Sequence, residues 1–157
     1  MKKKNKYYSE IVALLICTFF LSSESIASEK LDFLSLKNSQ VNLRLGPSFE
    51  YPVKLIYKKK FLPLIILDKS YTWRKMMDFE NNLGWIHISQ LSPRKTALNI
   101  TNNSILYKKS TIYSKPLAKI ESGRLVLIKK CNPEWCKIKT GKFTGWVVKK
   151  SLWGNTK

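Results

Sequence analysis

Gly84-Trp85-Ile86-His87-Ile88-Ser89-Gln90-Leu91 and Gly145-Trp146-Val147-Val148-Lys149-Lys150-Ser151-Leu152 are two forms of one motif. In both, a Gly-Trp pair is followed by an apolar residue and by a Leu six positions after the Trp. Each is preceded by a second Trp, in Trp73-Arg74-Lys75-Met76 and in Trp135-Cys136-Lys137-Ile138, so four of the five Trp residues fall at equivalent places. Self-similarity at a fixed period marks a repeated structural unit. The chain therefore reads as two copies of one module, residues 38–96 and 97–154, with a tail at 155–157.

Within each copy the apolar runs are short and bounded by turn formers, and no helical stripe appears, which predicts an antiparallel all-β chain. In the first copy the expected strands are 41–45 (VNLRL), 52–57 (PVKLIY), 62–67 (LPLIIL), 73–78 (WRKMMD) and 84–88 (GWIHI). Gly46-Pro47 and Asn81-Asn82 supply the turns. In the second copy 105–107, 118–120, 124–130, 135–139 and 145–149 repeat the order. Five short strands in so few residues predict a small barrel, the arrangement that removes most exposed edges.

Outside the repeats, residues 1–27 carry Lys2, Lys3, Lys4 and Lys6, then an apolar run of eleven residues from Ile11 to Leu21, then a polar stretch ending at Ala27. That layout predicts a secretory signal peptide, the run being too short to span a bilayer. Residues 28–37 are expected to form a linker. Export would place the mature protein in the periplasm or outside the cell with no transmembrane span. Cys17 would leave with the signal, and the remaining pair, Cys131 and Cys136 of Cys-Asn-Pro-Glu-Trp-Cys, predicts a structural disulfide across a hairpin.

The full chain of 157 residues carries 29 basic and 10 acidic side chains, a formal charge of +19. Such an excess favours anionic partners. Only four of the basic residues are Arg (Arg44, Arg74, Arg94 and Arg124). Phosphate and base recognition tends to use Arg, so nucleic acid is disfavoured. An AT-rich genome, with its Lys codons, accounts for the same excess without any partner.

The run Val41-Asn42-Leu43-Arg44-Leu45-Gly46-Pro47-Ser48-Phe49-Glu50-Tyr51-Pro52-Val53, followed by Trp73-Arg74-Lys75-Met76 and by the Gly84 motif, resembles the bacterial SH3-like (SH3b) domain. The continuation, residues 51–63 (YPVKLIYKKKFLP) and 92–98 (SPRKTAL), is similar to the exported tandem SH3 proteins of Gram-negative bacteria, and the resemblance covers nearly all of the expected mature chain. The second copy lacks the Arg-x-Gly-Pro start, so a function tied to that loop is not expected there. The resemblance implies two tandem SH3-like five-stranded barrels and recognition of wall peptides or protein partners.

Alternation from the inward Met76 and Ile138 sets Trp73 and Trp135 outward, beside Lys75 and Lys137, as candidate platforms for an extended ligand. Each Trp can equally cover a hairpin or pack between barrels. The resemblance places Tyr51 beside Trp73 and His87 at a groove position; Arg44 belongs to the same first-loop motif. The candidate ligand-binding set is thus Arg44, Tyr51, Trp73, Lys75, His87 and Trp135. Trp85 and Trp146 read as packing residues. The runs Lys58–Lys60, Lys129-Lys130 and Lys149-Lys150 are either solvated faces or contacts to an anion.

SH3-like domains often accompany a Cys-His peptidase, but one His and three Cys without an orienting third group give no nucleophilic constellation. Paired metal-ligand and phosphate-loop motifs are absent, so no catalytic residue, metal or cofactor is assigned. The expected function is a non-enzymatic envelope binder of peptidoglycan or another extended anionic or peptide ligand. The alternative is a scaffold that docks an extended or Pro-rich segment of an envelope protein. Oligomeric state is open.

Overall fold

The computed structural model describes residues 32–157, and the expected signal peptide with Cys17 lies outside the described residues. Seven strands of the first half form one antiparallel sheet. They are β1 (Asp32–Leu36), β2 (Val41–Arg44), β3 (Val53–Tyr57), β4 (Pro63–Ser70), β5 (Trp73–Met77), β6 (Leu83–His87) and β7 (Leu91–Ser92), in the order β3-β2-β6-β5-β4-β1-β7. The second half repeats this with β8 (Thr96–Asn99), β9 (Ser104–Tyr107), β10 (Pro116–Ile120), β11 (Leu125–Cys131), β12 (Trp135–Thr140), β13 (Phe143–Val148) and β14 (Leu152–Gly154), in the order β10-β9-β13-β12-β11-β8-β14. A short 3-10 turn precedes the last strand of each sheet, at Ile88–Gln90 and Lys149–Ser151.

Every strand of the first sheet feeds one core: Leu36, Val41, Leu43, Tyr57, Leu64, Met76, Ile86 and Leu91. Tyr57 and Leu91 lie on the two edge strands of that sheet, so the sheet must curl for them to share an interior. The second sheet encloses Ala97, Leu106, Ile120, Val126, Ile128, Cys136, Ile138, Val147 and Leu152 in the same way. Each half is thus a small, strongly bent β-structure of the SH3 kind.

The Gly of each Gly-Trp pair has a steric reason. A Cβ at Gly84 would come within 2.6 Å of Leu43 Cγ and 2.7 Å of the Arg44 carbonyl; at Gly145 it would meet the Tyr107 carbonyl at 2.5 Å. These are the places where β6 crosses β2, pairing Trp85 with Arg44, and where β13 crosses β9, pairing Trp146 with Tyr107. Only a residue without Cβ lets the strands approach this closely. The bulges repeat as well, between Ile66 and Asp68 in β4 and between Ile128 and Lys130 in β11.

The ten expected strands all form, but each sheet has seven strands rather than five. Residues 32–36, expected within the linker, form β1 and pair with β4 and β7. In the tail, Asn155 donates its amide to the Thr96 carbonyl. β7 and β14 have two and three residues, too few to display alternation. All four residues of β8 are buried, which also leaves no alternation to read.

The buried polar groups differ between the copies. Leu36 pairs with Leu91 in the first, while Asn99 takes the matching place opposite Leu152 in the second. The Asn99 amide donates to the carbonyls of Thr101, Ile120 and Glu121, and its oxygen accepts from the Ser104 hydroxyl, so its burial is fully compensated. In the first copy Tyr57 donates to the buried Asp78 at 2.9 Å. Burial, then the neighbouring Asp78 charge, raises the Tyr57 phenol far above its ordinary pKa. Asp78 also accepts from the amides of Glu80 and Asn82, fixing the β5–β6 turn. Cys131 and Cys136 face each other across the β11–β12 hairpin, their Cα atoms 4.0 Å apart and their sulfurs joined.

The two halves meet through aromatic rings. Trp153 lies edge-on to Phe33 at 5.3 Å and to Phe79 at 5.4 Å. It is the one Trp outside the repeated pairs, and it stands where the first copy has Ser92. Lys157 reaches Asp32 at 3.4 Å, and Lys59 Nζ donates to the Gly123 carbonyl at 3.2 Å.

Candidate functional site

Adjacent strands β5 and β6 place Trp73 opposite His87. Neither belongs to the interior cluster, which takes Met76 and Ile86 from the same strands, so both lie on the sheet's outer face as alternation requires. Trp73 is nevertheless only 7% exposed, contrary to the open platform expected for it. The cause is Phe49, carried on the loop between β2 and β3, whose ring lies 4.9 Å from Trp73 and 5.3 Å from His87. Trp73 and His87 complete the triangle at 5.2 Å. Phe49 itself remains 67% exposed, so the solvent-facing aromatic of this cluster is Phe49 with Trp73 as its floor.

The loop that carries Phe49 is closed by a hydrogen bond from the Leu45 amide to the Pro52 carbonyl and by Arg44, whose Nη1 donates to the Tyr51 carbonyl at 2.7 Å. The Arg44 guanidinium also stands 5.8 Å from the Phe49 ring centre. Tyr51, expected beside Trp73, instead covers Gly46, where an added Cβ would meet its ring at 2.6 Å. Lys75 sits opposite Asp68 and Trp85 and does not line the groove. The groove holds about 270 Å³ and is lined by Gln40, Val41, Asn42, Arg44, Phe49, Trp73, His87 and Gln90. Its walls thus combine aromatic faces, one cation, and three carboxamides and one imidazole able to bind a peptide backbone.

His87 also caps the following 3-10 turn. Its Nδ1 lies 2.8 Å from the Ser89 hydroxyl and accepts from the Ser89 amide. Because an amide can only donate, this arrangement selects the tautomer with the proton on Nε2, which leaves that nitrogen as a donor.

The matching region of the second half is built differently. Trp135 is buried and lies edge-on to Tyr107 at 5.8 Å. Tyr107 stands in the place of Arg44, pairing with Trp146 as Arg44 pairs with Trp85, and Val148 opposite Trp135 takes the place of His87. The depression there is lined by Pro133, Glu134, Trp135, Val148, Lys149 and Lys150. Trp135, like Trp73, is therefore not an open platform. Among the described residues no three His, Cys, Asp or Glu side chains converge as a metal set would.

Two stretches, residues 37–93 and 102–154, match the model of the bacterial SH3 domain. The chain belongs to the bacterial SH3 domain family. Each SH3 copy covers six of the seven strands of one sheet, β1 and β8 lying ahead of the matched stretches. No curated protein matches the chain. Among solved structures it is similar to NlpC2 from Trichomonas vaginalis, with 11% identity, 81% of this chain and 49% of that one covered, and a TM-score of 0.37. NlpC1 from the same organism is similar at 12% identity, with coverage of 82% and 47% and a TM-score of 0.37. The chain spans about half the length of these two proteins.

Phe49 is the aromatic groove residue that sequence reading missed, along with Gln40, Val41, Asn42 and Gln90. Both Phe49 and Tyr51 lie in the loop Gly46–Pro52, and nothing in their spacing says which ring turns toward Trp73. The deciding contact is Tyr51 on Gly46, a packing preference that only the folded loop reveals.

Proposed function

We propose that this protein is a non-enzymatic, exported binding module of the cell envelope that recognises peptidoglycan or another extended anionic or peptide ligand through its first SH3 groove. The observation that carries this reading is the convergence of Phe49, Trp73, His87 and Arg44 in one groove with Gln40, Asn42 and Gln90 at its rim. Aromatic faces hold the flat or apolar parts of a peptide, the carboxamides pair with its backbone, and Arg44 offers charge to a carboxylate. In the second copy Arg44 and His87 are replaced by Tyr107 and Val148, so that site suits a more apolar, extended protein segment. This difference favours the second reading, a scaffold docking an envelope partner, for the second barrel alone.

Titration of the isotopically labelled protein with soluble wall-peptide fragments, followed by amide shifts, tests the proposal. The expected result is saturable shifts confined to the β2–β3 loop, His87 and Gln90. Shifts spread evenly over the basic surface, or an absence of saturation, would overturn it.

A further inference from the structure

A second cluster lies away from the aromatic groove, where the two halves meet. Two depressions of about 350 and 410 Å³ share Glu121, Arg124, Thr140 and Gly141. Lys59 of the first half lines one of them, and Lys119 and Lys142 line the other. Arg124 is held toward the depressions by its Nε donating to Thr140 Oγ1 at 3.4 Å. Lys59 is drawn across the junction by its bond to the Gly123 carbonyl. At Gly123 and Gly141 nothing lies within 4 Å of where a Cβ would be, so both backbone turns are open to a ligand. Four cations thus surround one carboxylate, Glu121, and none of the four makes an ion pair among the described residues.

We propose that this junction is an oxyanion site that takes a phosphoryl group carried on a linear anionic chain. The planar guanidinium of Arg124 suits two oxygens of one phosphoryl group, while the flanking Lys residues supply charge to its neighbours. A recessed site favours a thin chain over a bilayer surface, which needs a projecting apolar face; of the large apolar side chains lining the depressions, Ile120, Leu125 and Phe143, Phe143 alone is exposed. Because Lys59 comes from the first half and the other three cations from the second, the site exists only while the halves stay docked. This proposal does not depend on the function assigned to the aromatic groove.

The test uses inorganic tripolyphosphate as the probe, titrated calorimetrically at about 0.15 M salt, where exposed long-range charge is largely screened. The paired variant Lys59→Gln with Arg124→Gln is compared with Lys108→Gln with Lys109→Gln, which removes the same charge from an exposed loop of the second half. The expected result is about a tenfold loss of affinity in the first variant and less than about a threefold loss in the second. Equal losses in the two variants, or no binding by the parent protein, overturn the proposal. Binding to vesicles containing phosphatidylglycerol that depends on Arg124, without binding to tripolyphosphate, replaces it with a membrane site.

Discussion

Trp153→Ala is the perturbation that most directly probes how the two SH3 copies hold together. Trp153 sits on β14, at the end of the second sheet, yet its rings meet Phe33 of β1 and Phe79 of the β5–β6 turn, both in the first half. Edge-to-face pairs contribute about 1 kcal/mol each beyond the area they bury, so two pairs account for about 2 kcal/mol. Loss of the half-buried indole surface brings the total to about 3 kcal/mol, at the low end for Trp truncation in a core. Since the loss falls on the junction and not on either core, the halves should uncouple. Urea unfolding followed by far-UV circular dichroism and by amide exchange in β8 and β11 reads both effects. The parent is expected to unfold in one transition, and the variant in two, with β8 exchanging earlier. A single transition shifted by less than about 0.5 kcal/mol would refute the idea that this ring joins the halves.

Phe49→Ala should cost about 1 kcal/mol of stability, the value of its edge-on pair with Trp73, while wall-peptide affinity falls about tenfold; unchanged affinity in the titration would remove Phe49 from the site. Trp73→Ala is expected to cost about 3 kcal/mol in denaturant unfolding, since Trp73 is the buried floor of that cluster, and its binding defect would then be inseparable from damage to the fold. Gly145→Ala must displace the Tyr107 carbonyl, and overpacking of this kind costs about 1–3 kcal/mol in the same assay. Tyr57 titrates higher in the folded protein than in the unfolded chain, so its stabilisation is complete below the unfolded phenol pKa of about 10 and declines as pH rises beyond it. Tyr57→Phe should therefore flatten part of the alkaline fall in melting temperature; an unchanged alkaline profile would show that the raised phenol is not its source.

What the sequence revealed follows from how local each signal is. The Gly-Trp pairs were legible because a strand crossing that forbids a Cβ leaves a fixed glycine at each copy, and ten of the strands because their apolar residues alternate or run between turn formers. β1, β7, β8 and β14 were not: β7 and β14 are too short to alternate, β8 is buried throughout, and β1 owes its place to pairing with strands far along the chain. In the site, alternation put Trp73 on the right face and could not report its exposure, which a loop residue from another strand pair decides. Phe49 takes the place expected for Tyr51 for the same reason. The junction of Lys59 with Arg124 has no sequence signature, since its members are separated by more than sixty residues and belong to different copies.

The central claim, that the first groove makes this an envelope-binding protein, is tested most directly by co-sedimentation of residues 28–157 with purified peptidoglycan sacculi at low and at about 0.15 M salt. An unrelated protein of equal charge and the Phe49→Ala variant serve as controls. Retention of the parent at the higher salt, with release of both controls, is the predicted result. Release of the parent in parallel with the charge-matched control would contradict the claim and leave its binding to charge alone.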